Sequence, residues 1–280
     1  MNDKKKLIIT IVLALAVLLI LVKITGGEKP SSISKDNNIK ITKNEASSLE
    51  LEEYKSDVFS MKKPKGWTVE AGGSGIYYAI KVTDPKDERN QIFLMLKMQP
   101  LLKSQSAKDS WNEYYKLSNY QEQYKLFSTA VVLENPTTLG FYQKFNEIGD
   151  YMNSVEPTLS TFKFPKYSNF NQLEEFESKT SMKSVSLDSK VLRATYTNEN
   201  NKEAEGMFTA SIVNFGDQNN GNVDMSYYMV YDIMSITSVK DEFINYKELL
   251  MNSINSIEFS DAYVKKTIDD GNAQTKQALQ

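Results

Sequence analysis

Apolar and polar positions follow three regimes along the chain: one unbroken apolar run, stretches that alternate with period two, and stretches with a period near 3.6. The unbroken run comes first. Residues 7–22, opened by Leu7 and closed by Val22, hold a single polar side chain, Thr10, behind Lys4, Lys5 and Lys6 and ahead of Lys23. Sixteen residues at about 1.5 Å each make a helix of roughly 24 Å, and flanking lysines snorkel to the headgroups, so the pattern predicts one N-terminal transmembrane helix within an anchor over 1–25. Lys23-Ile24-Thr25-Gly26-Gly27 follows the run, a poor cleavage context, so the anchor is expected to stay attached, with its basic flank cytoplasmic and the rest extracytoplasmic.

From 26 to 53 the chain is rich in Gly, Ser, Asn and charge and is expected to be a flexible tether spanning roughly 30 Å. Ile39 and Ile41 alternate with polar neighbours there, and an edge strand over 38–43 is the alternative. Period-two alternation begins after Tyr54. Strands are predicted at 58–61, stopped by Lys63-Pro64-Lys65-Gly66, then around Trp67 and Val69, and across Ile76, Tyr78, Ile80 and Val82. In the next strand Ile92, Leu94, Leu96 and Met98 share one face and Phe93 and Met95 the other, a pattern buried on both sides. These strands read as an antiparallel meander.

The period then changes. Ser106 with Asp109 resembles a capping box for a helix carrying Trp111, Tyr114 and Tyr115. A second helix is expected from Asn135-Pro136, with Leu139, Tyr142, Ile148 and Met152 on its apolar face. The helical stretch at 104–155 is expected to cover the sheet or to form an insertion. Strand signals return at Phe162, at 191–196 and at 207–215, the last two joined by Asn198-Glu199-Asn200-Asn201 as a hairpin. The run 225–236 follows, with Tyr227, Met229, Tyr231 and Ile233 expected on one face and Tyr228, Val230 and Met234 on the other. Ser238 and Asp241 then open a helix with the stripe Val239, Phe243, Tyr246, Leu250, Ile254 and Ile257, before a short strand at Phe259. Residues 261–280 read as a polar tail, a helix-like segment without an end signal.

Two stretches resemble a known family. Met61-Lys62-Lys63-Pro64-Lys65-Gly66-Trp67-Thr68-Val69 has the pattern strand, Pro-x-Gly-Trp, strand. Asp241-Glu242-Phe243-Ile244-Asn245-Tyr246, Leu249-Leu250-Met251-Asn252-Ser253-Ile254 and Ile257-Glu258-Phe259 form a helix closing on a strand. This pairing resembles the PsbP-like family. The resemblance implies an α/β domain of the α+β type over 54–260, an antiparallel sheet covered by helices, and an accessory or binding role without shared catalytic residues. The helical middle departs from that family's compact plan.

Composition removes chemistry more than it adds it. The chain has no Cys and no His, so disulfides, thiolate nucleophiles, Cys- or His-ligated metals and imidazole bases are excluded. Beyond residue 24 there are 29 basic and 35 acidic side chains, a net charge of −6, and the chain's only arginines are Arg89 and Arg193. Nucleic acid is therefore an unfavourable partner.

Few local clusters remain. Asp84, Asp87 and Glu88 have the composition of a turn, and Glu174, Glu175 and Glu177 read as exposed strand charge, although either set supplies the carboxylate pair a glycan hydrolase needs. The oxygen-rich run 214–224 misses the EF-hand spacing at Gly221, and Gly72-Gly73-Ser74-Gly75 lacks the Lys-Ser or Lys-Thr of a phosphate loop. Trp67 and Trp111, with Tyr114 and Tyr115, are the binding-surface residues the sequence offers, core packing being the commoner fate of tryptophan. The expectation is a membrane-anchored, noncatalytic binding or accessory module with envelope-protein partners and no cofactor. The alternative is a carboxylate-dependent hydrolase of cell-envelope glycan.

Overall fold

The computed structural model describes residues 49–216 and 219–278. The anchor over 7–22, most of the 26–53 tether and the alternative strand at 38–43 lie outside the described residues. Among those described, no helix is long and apolar enough to cross a membrane.

In chain order the elements are β1 (Leu51–Lys55), β2 (Phe59–Pro64), β3 (Thr68–Ser74), β4 (Tyr77–Thr83), β5 (Gln91–Lys97), β6 (Leu101–Leu102), α1 (Gln105–Leu117), α2 (Glu122–Thr129), α3 (Thr138–Gln143) and α4 (Phe145–Val155). They continue with β7 (Ser168–Glu177), β8 (Asp188–Thr197), β9 (Glu203–Phe215), β10 (Asn219–Asn220), β11 (Val223–Asp224), β12 (Tyr227–Val239), α5 (Phe243–Ile254), β13 (Glu258–Phe259) and α6 (Asp261–Ala278). The fold is a mixed α+β one. Its central sheet has the order β3-β4-β5-β12-β9-β8-β7, with β6 also on β12, and every pairing in it is antiparallel.

Both faces of that sheet are covered. One core gathers Phe93, Met95, Phe141, Tyr142, Phe145 and Phe208 under α1–α4. The other gathers Ile80, Ile92, Leu94, Phe243, Leu250 and Ile254 under α5, α6 and a three-stranded sheet of order β1-β2-β13. Residues of β5 are buried throughout, as its two-sided apolar pattern requires. Met98 falls just past the end of β5 and packs in the core of Phe93 and Met95, not with Ile92 and Leu94 as its parity predicts.

Several expectations shift. Leu51, Glu52 and Glu53, placed in the tether, pair with Pro64, Lys63 and Lys62 in β1. Trp67 marks a change of sheet: β2 pairs with β1 and β13, while the meander starts at β3. The β3–β4 turn needs glycine, since Gly73 has φ +106° and a Cβ there would meet the Tyr77 carbonyl at 2.0 Å. The tail from 261 is α6, which returns to the domain: the Tyr263 hydroxyl donates to the Gly75 carbonyl at 2.8 Å and Tyr263 and Val264 pack on the core.

In the helical middle, the cap of α1 is Ser104, two residues ahead of the expected Ser106. Its hydroxyl accepts from the Ala107 backbone N–H at 3.1 Å. Ser104→Ala is expected to cost about 1 kcal/mol, read from urea unfolding; no change would show that water caps the helix equally well. The helix expected from Asn135 is two, α3 capped by Thr137 and α4 beginning at Phe145, and α2 is an element the periodicity did not mark. Phe162 is not in a strand; it sits in the irregular segment between α4 and β7 and packs against Phe93 and Phe164. The β8–β9 hairpin forms as expected around Asn198–Asn201.

Candidate functional site

Strand β12 does not hold the alternation expected of it. Tyr231 pairs with Ser211 and Met234 with Thr209, so β12 carries one residue more than β9 across the same span. This is a β-bulge, and Asp232 within it has φ +52°. The extra residue switches faces: Ile233 joins the core of Phe93 and Met234 the opposite one, the reverse of simple parity. An aspartate tolerates the left-handed region better than most residues, yet it is seldom placed there in a central strand.

The bulge is held from both sides. From the α3 side the Tyr142 hydroxyl shares its proton between the Thr209 and Met234 carbonyls at 2.9 and 2.8 Å, and Tyr167 and Ser235 join hydroxyls at 2.7 Å. On the other side Asp232 faces a buried hydroxyl cluster. Ser189 and Ser211 lie 3.0 Å apart, Thr180 lies 3.3 and 3.2 Å from them, and Ser211 donates to Asp232 at 3.4 Å. Thr180 stands close enough to help draw the carboxyl down as well. Burial pushes the Asp232 carboxyl up to about 6, and these hydrogen bonds pull it partway back. No Lys or Arg among the described residues forms an ion pair with it.

Beside the cluster a cleft of about 160 Å³ opens between α5, the β8-β9-β12 face and the segment after β7. Three partly exposed methionines from different elements, Met207, Met234 and Met251, form its walls with Val191. Thioether chains adapt to irregular apolar shapes and favour aromatic contacts. Thr209 lies in the buried floor, and its Oγ1 has no hydrogen-bond partner. The exposed Lys179 and Asn255 stand at the mouth. Thr180 joins cleft and carboxyl, lining the first and standing close to the second.

The residues singled out from sequence lie elsewhere. Trp67 is buried in the core beneath α5, and Trp111 in the opposite one, where its Nε1 donates to the Met225 carbonyl at 3.2 Å and its ring stacks on Phe127 at 4.4 Å. Tyr114 is exposed on α1, and Tyr115 meets Tyr120 edge-on at 5.1 Å. The four do not converge on one surface. Asp87 clasps Arg89, Glu88 accepts from Asn198 at 2.9 Å, and Asp84 accepts from Asn90 at 3.0 Å. Glu174 pairs with Arg193, and Glu175 and Glu177 with Lys190. Asp224 accepts from Lys103 and Ser226. Among the described residues no group of three or more acidic side chains is placed to hold a metal ion.

Fold and cleft together define a two-faced α+β sandwich with a pocket the size of one apolar side chain. No protein-family model matches the chain, and no curated protein matches it. Among solved structures it is similar to cyanobacterial PsbP (CyanoP) from Synechocystis, whose solution structure aligns over 81% of this chain and 99% of that one with 10% identity and a TM-score of 0.26. The resemblance to PsbP is thus weak and partial in structure as it is in sequence.

Proposed function

We propose that the chain is a membrane-anchored, extracytoplasmic and noncatalytic binding module serving envelope proteins, and that the cleft between α5 and the β8-β9-β12 face is its ligand site. The observation that carries the ligand site is the unpartnered Thr209 hydroxyl on the floor of a methionine-walled cleft. A buried hydroxyl without a partner costs roughly 1–3 kcal/mol, a cost a ligand atom relieves. A cavity of this size elsewhere accommodates a benzene ring. Asp232, which stands behind the cleft residue Thr180, has hydroxyl partners only, an arrangement suited to recognition. The anchor and the address rest on the 7–22 run and its basic flank.

The test uses the full chain in detergent micelles with ¹³C-labelled methionine methyl groups, titrated with benzyl alcohol. Met207, Met234 and Met251 are expected to shift together, while Met98 and Met152, wholly buried in the other core, stay put. Unmoved cleft methyls at saturating probe would exclude the site.

A further inference from the structure

The cleft has a polarity of its own. Ser178, Thr180 and Thr209 line it, and Ser189 and Ser211 stand behind Thr180, so the wall toward Asp232 is a bank of hydroxyl oxygens ending in one carboxylate. Among the described residues no buried cation answers it: Lys179, at the mouth, is exposed and its charge is screened by water. The carboxyl sits on a bulge with left-handed backbone that both faces of the sheet help to hold. Strained backbone and an unpaired carboxylate are each costly, and sites where the surrounding fold enforces both are where ligands are held.

Resting on the reading that this cleft is the ligand site, we propose that its ligand is a small organic ammonium with an apolar body of about one side chain, the body among Met207, Met234 and Met251 and the ammonium against Thr180 and Asp232. An ammonium carries up to three donors and no acceptor, matching a wall rich in lone pairs and supplying the charge the carboxylate lacks. Thr180 is the residue that yields: its hydroxyl turns from the side of Asp232 to the ligand, and the carboxylate takes the ammonium in exchange. Alkyl- and arylammonium groups share this chemistry, whether free amines or the amino terminus of a peptide beginning with an apolar residue.

Benzylammonium, benzyl alcohol and benzoate have nearly the same shape and differ in charge. Titrated into the labelled full chain at about pH 7.5, where the carboxyl and the amine are both charged, benzylammonium is expected to bind about tenfold tighter than benzyl alcohol, and benzoate weaker than either. In Asp232→Asn, an amide that suits the same backbone, the ratio of ammonium to alcohol should fall to within about twofold. Thr180→Val should weaken binding of both probes and reduce the ammonium preference only in part, since Asp232 keeps its charge. A peptide with an amino-terminal Leu, compared with its acetylated form, separates the two ligand sources: preference for the free amino terminus assigns a peptide, and a lack of binding by both forms assigns a free amine. Equal binding of ammonium and alcohol, or a preference that survives Asp232→Asn, overturns the ammonium assignment while leaving the cleft a ligand site. Failure of all three probes to move the cleft methyls overturns both.

Discussion

Lys97→Met is expected to make the protein more stable near pH 7, by roughly 2 kcal/mol, although it deletes a charge from a central strand. Lys97 is 3% exposed on β5, and its Nζ lies 5.0 Å from the Tyr77 ring centroid and 5.7 Å from that of Tyr231. Among the described residues no carboxylate pairs with it. Burial holds the amine down to about 8, from an ordinary 10.5. A depressed lysine disfavours the proton in the folded state. Below about pH 8 the folded and unfolded chains are both charged there and the full penalty applies. Between about 8 and 10.5 the folded amine loses its proton first and the penalty fades; above that range it is gone. Two and a half units correspond to about 3 kcal/mol, which the two ring contacts offset in part. Methionine keeps the length of the chain and the contact with aromatic rings. Urea unfolding across this range should show the variant's advantage at neutral pH shrinking toward pH 10. A variant less stable than wild type at pH 7 would mean that the rings hold the ammonium more strongly than burial expels it.

What the sequence discloses here is what local period discloses. The two-sided burial of β5, the stripe of α5 from Phe243 to Ile254 and the β8–β9 hairpin are all written in consecutive residues, and the structure contains them, whereas Ser238 and Val239, expected to open that helix, end β12. Met98 and the Ser104 cap slip by a residue or two because the end of an element depends on what packs beyond it. Leu51–Glu53 looked like tether because their composition is polar; it is pairing with β2 that makes them a strand. The split between α3 and α4 and the helical docking of α6 likewise depend on tertiary partners, Tyr142 under the sheet and Tyr263 on the β3–β4 turn. The cleft was further out of reach. Its residues come from the segment after β7, from β8, β9 and β12, and from α5 and its C-terminal end, so no window of sequence contains them together. One signal was present: Asp232 is the only charged residue in the run 225–236, and a charge inside a strand buried on both faces marks either a bulge or a site. Here it marks the bulge, and setting two residues of β12, Asp232 and Ile233, against Ala210 alone on β9 requires both strands to be seen at once.

Asp232→Asn is expected to stabilise the fold by about 2–3 kcal/mol at pH 7–8 and to leave it unchanged near pH 4. The carboxyl stands at about 6 in the fold against an ordinary 3.8. An acid raised in this way prefers its protonated form when folded. Below about pH 4 the folded and unfolded chains both carry the proton, and the residue is neutral in its effect. From about 4 to 6 the unfolded chain ionises first, so stability falls as pH rises; above 6 the whole penalty, about two units or 3 kcal/mol, is in force. Asparagine carries no charge, accepts from Ser211 with its carbonyl, and adopts positive φ more readily than other L-residues, so it removes the penalty and keeps the bulge. Urea midpoints of both proteins at pH 4, 6 and 8 check this directly: the wild-type midpoint should fall across the range relative to the variant's. Equal stability at pH 8 would mean that the hydroxyl hydrogen bonds already compensate the ionised carboxylate, and the case for a cationic ligand would lose its energetic basis. The stabilised outcome carries the opposite implication. A single change that asparagine's geometry permits would make the domain firmer, and the carboxylate stands there nonetheless, at a strained position, one hydroxyl away from an open cleft. That combination is the expected signature of a group kept for what it binds.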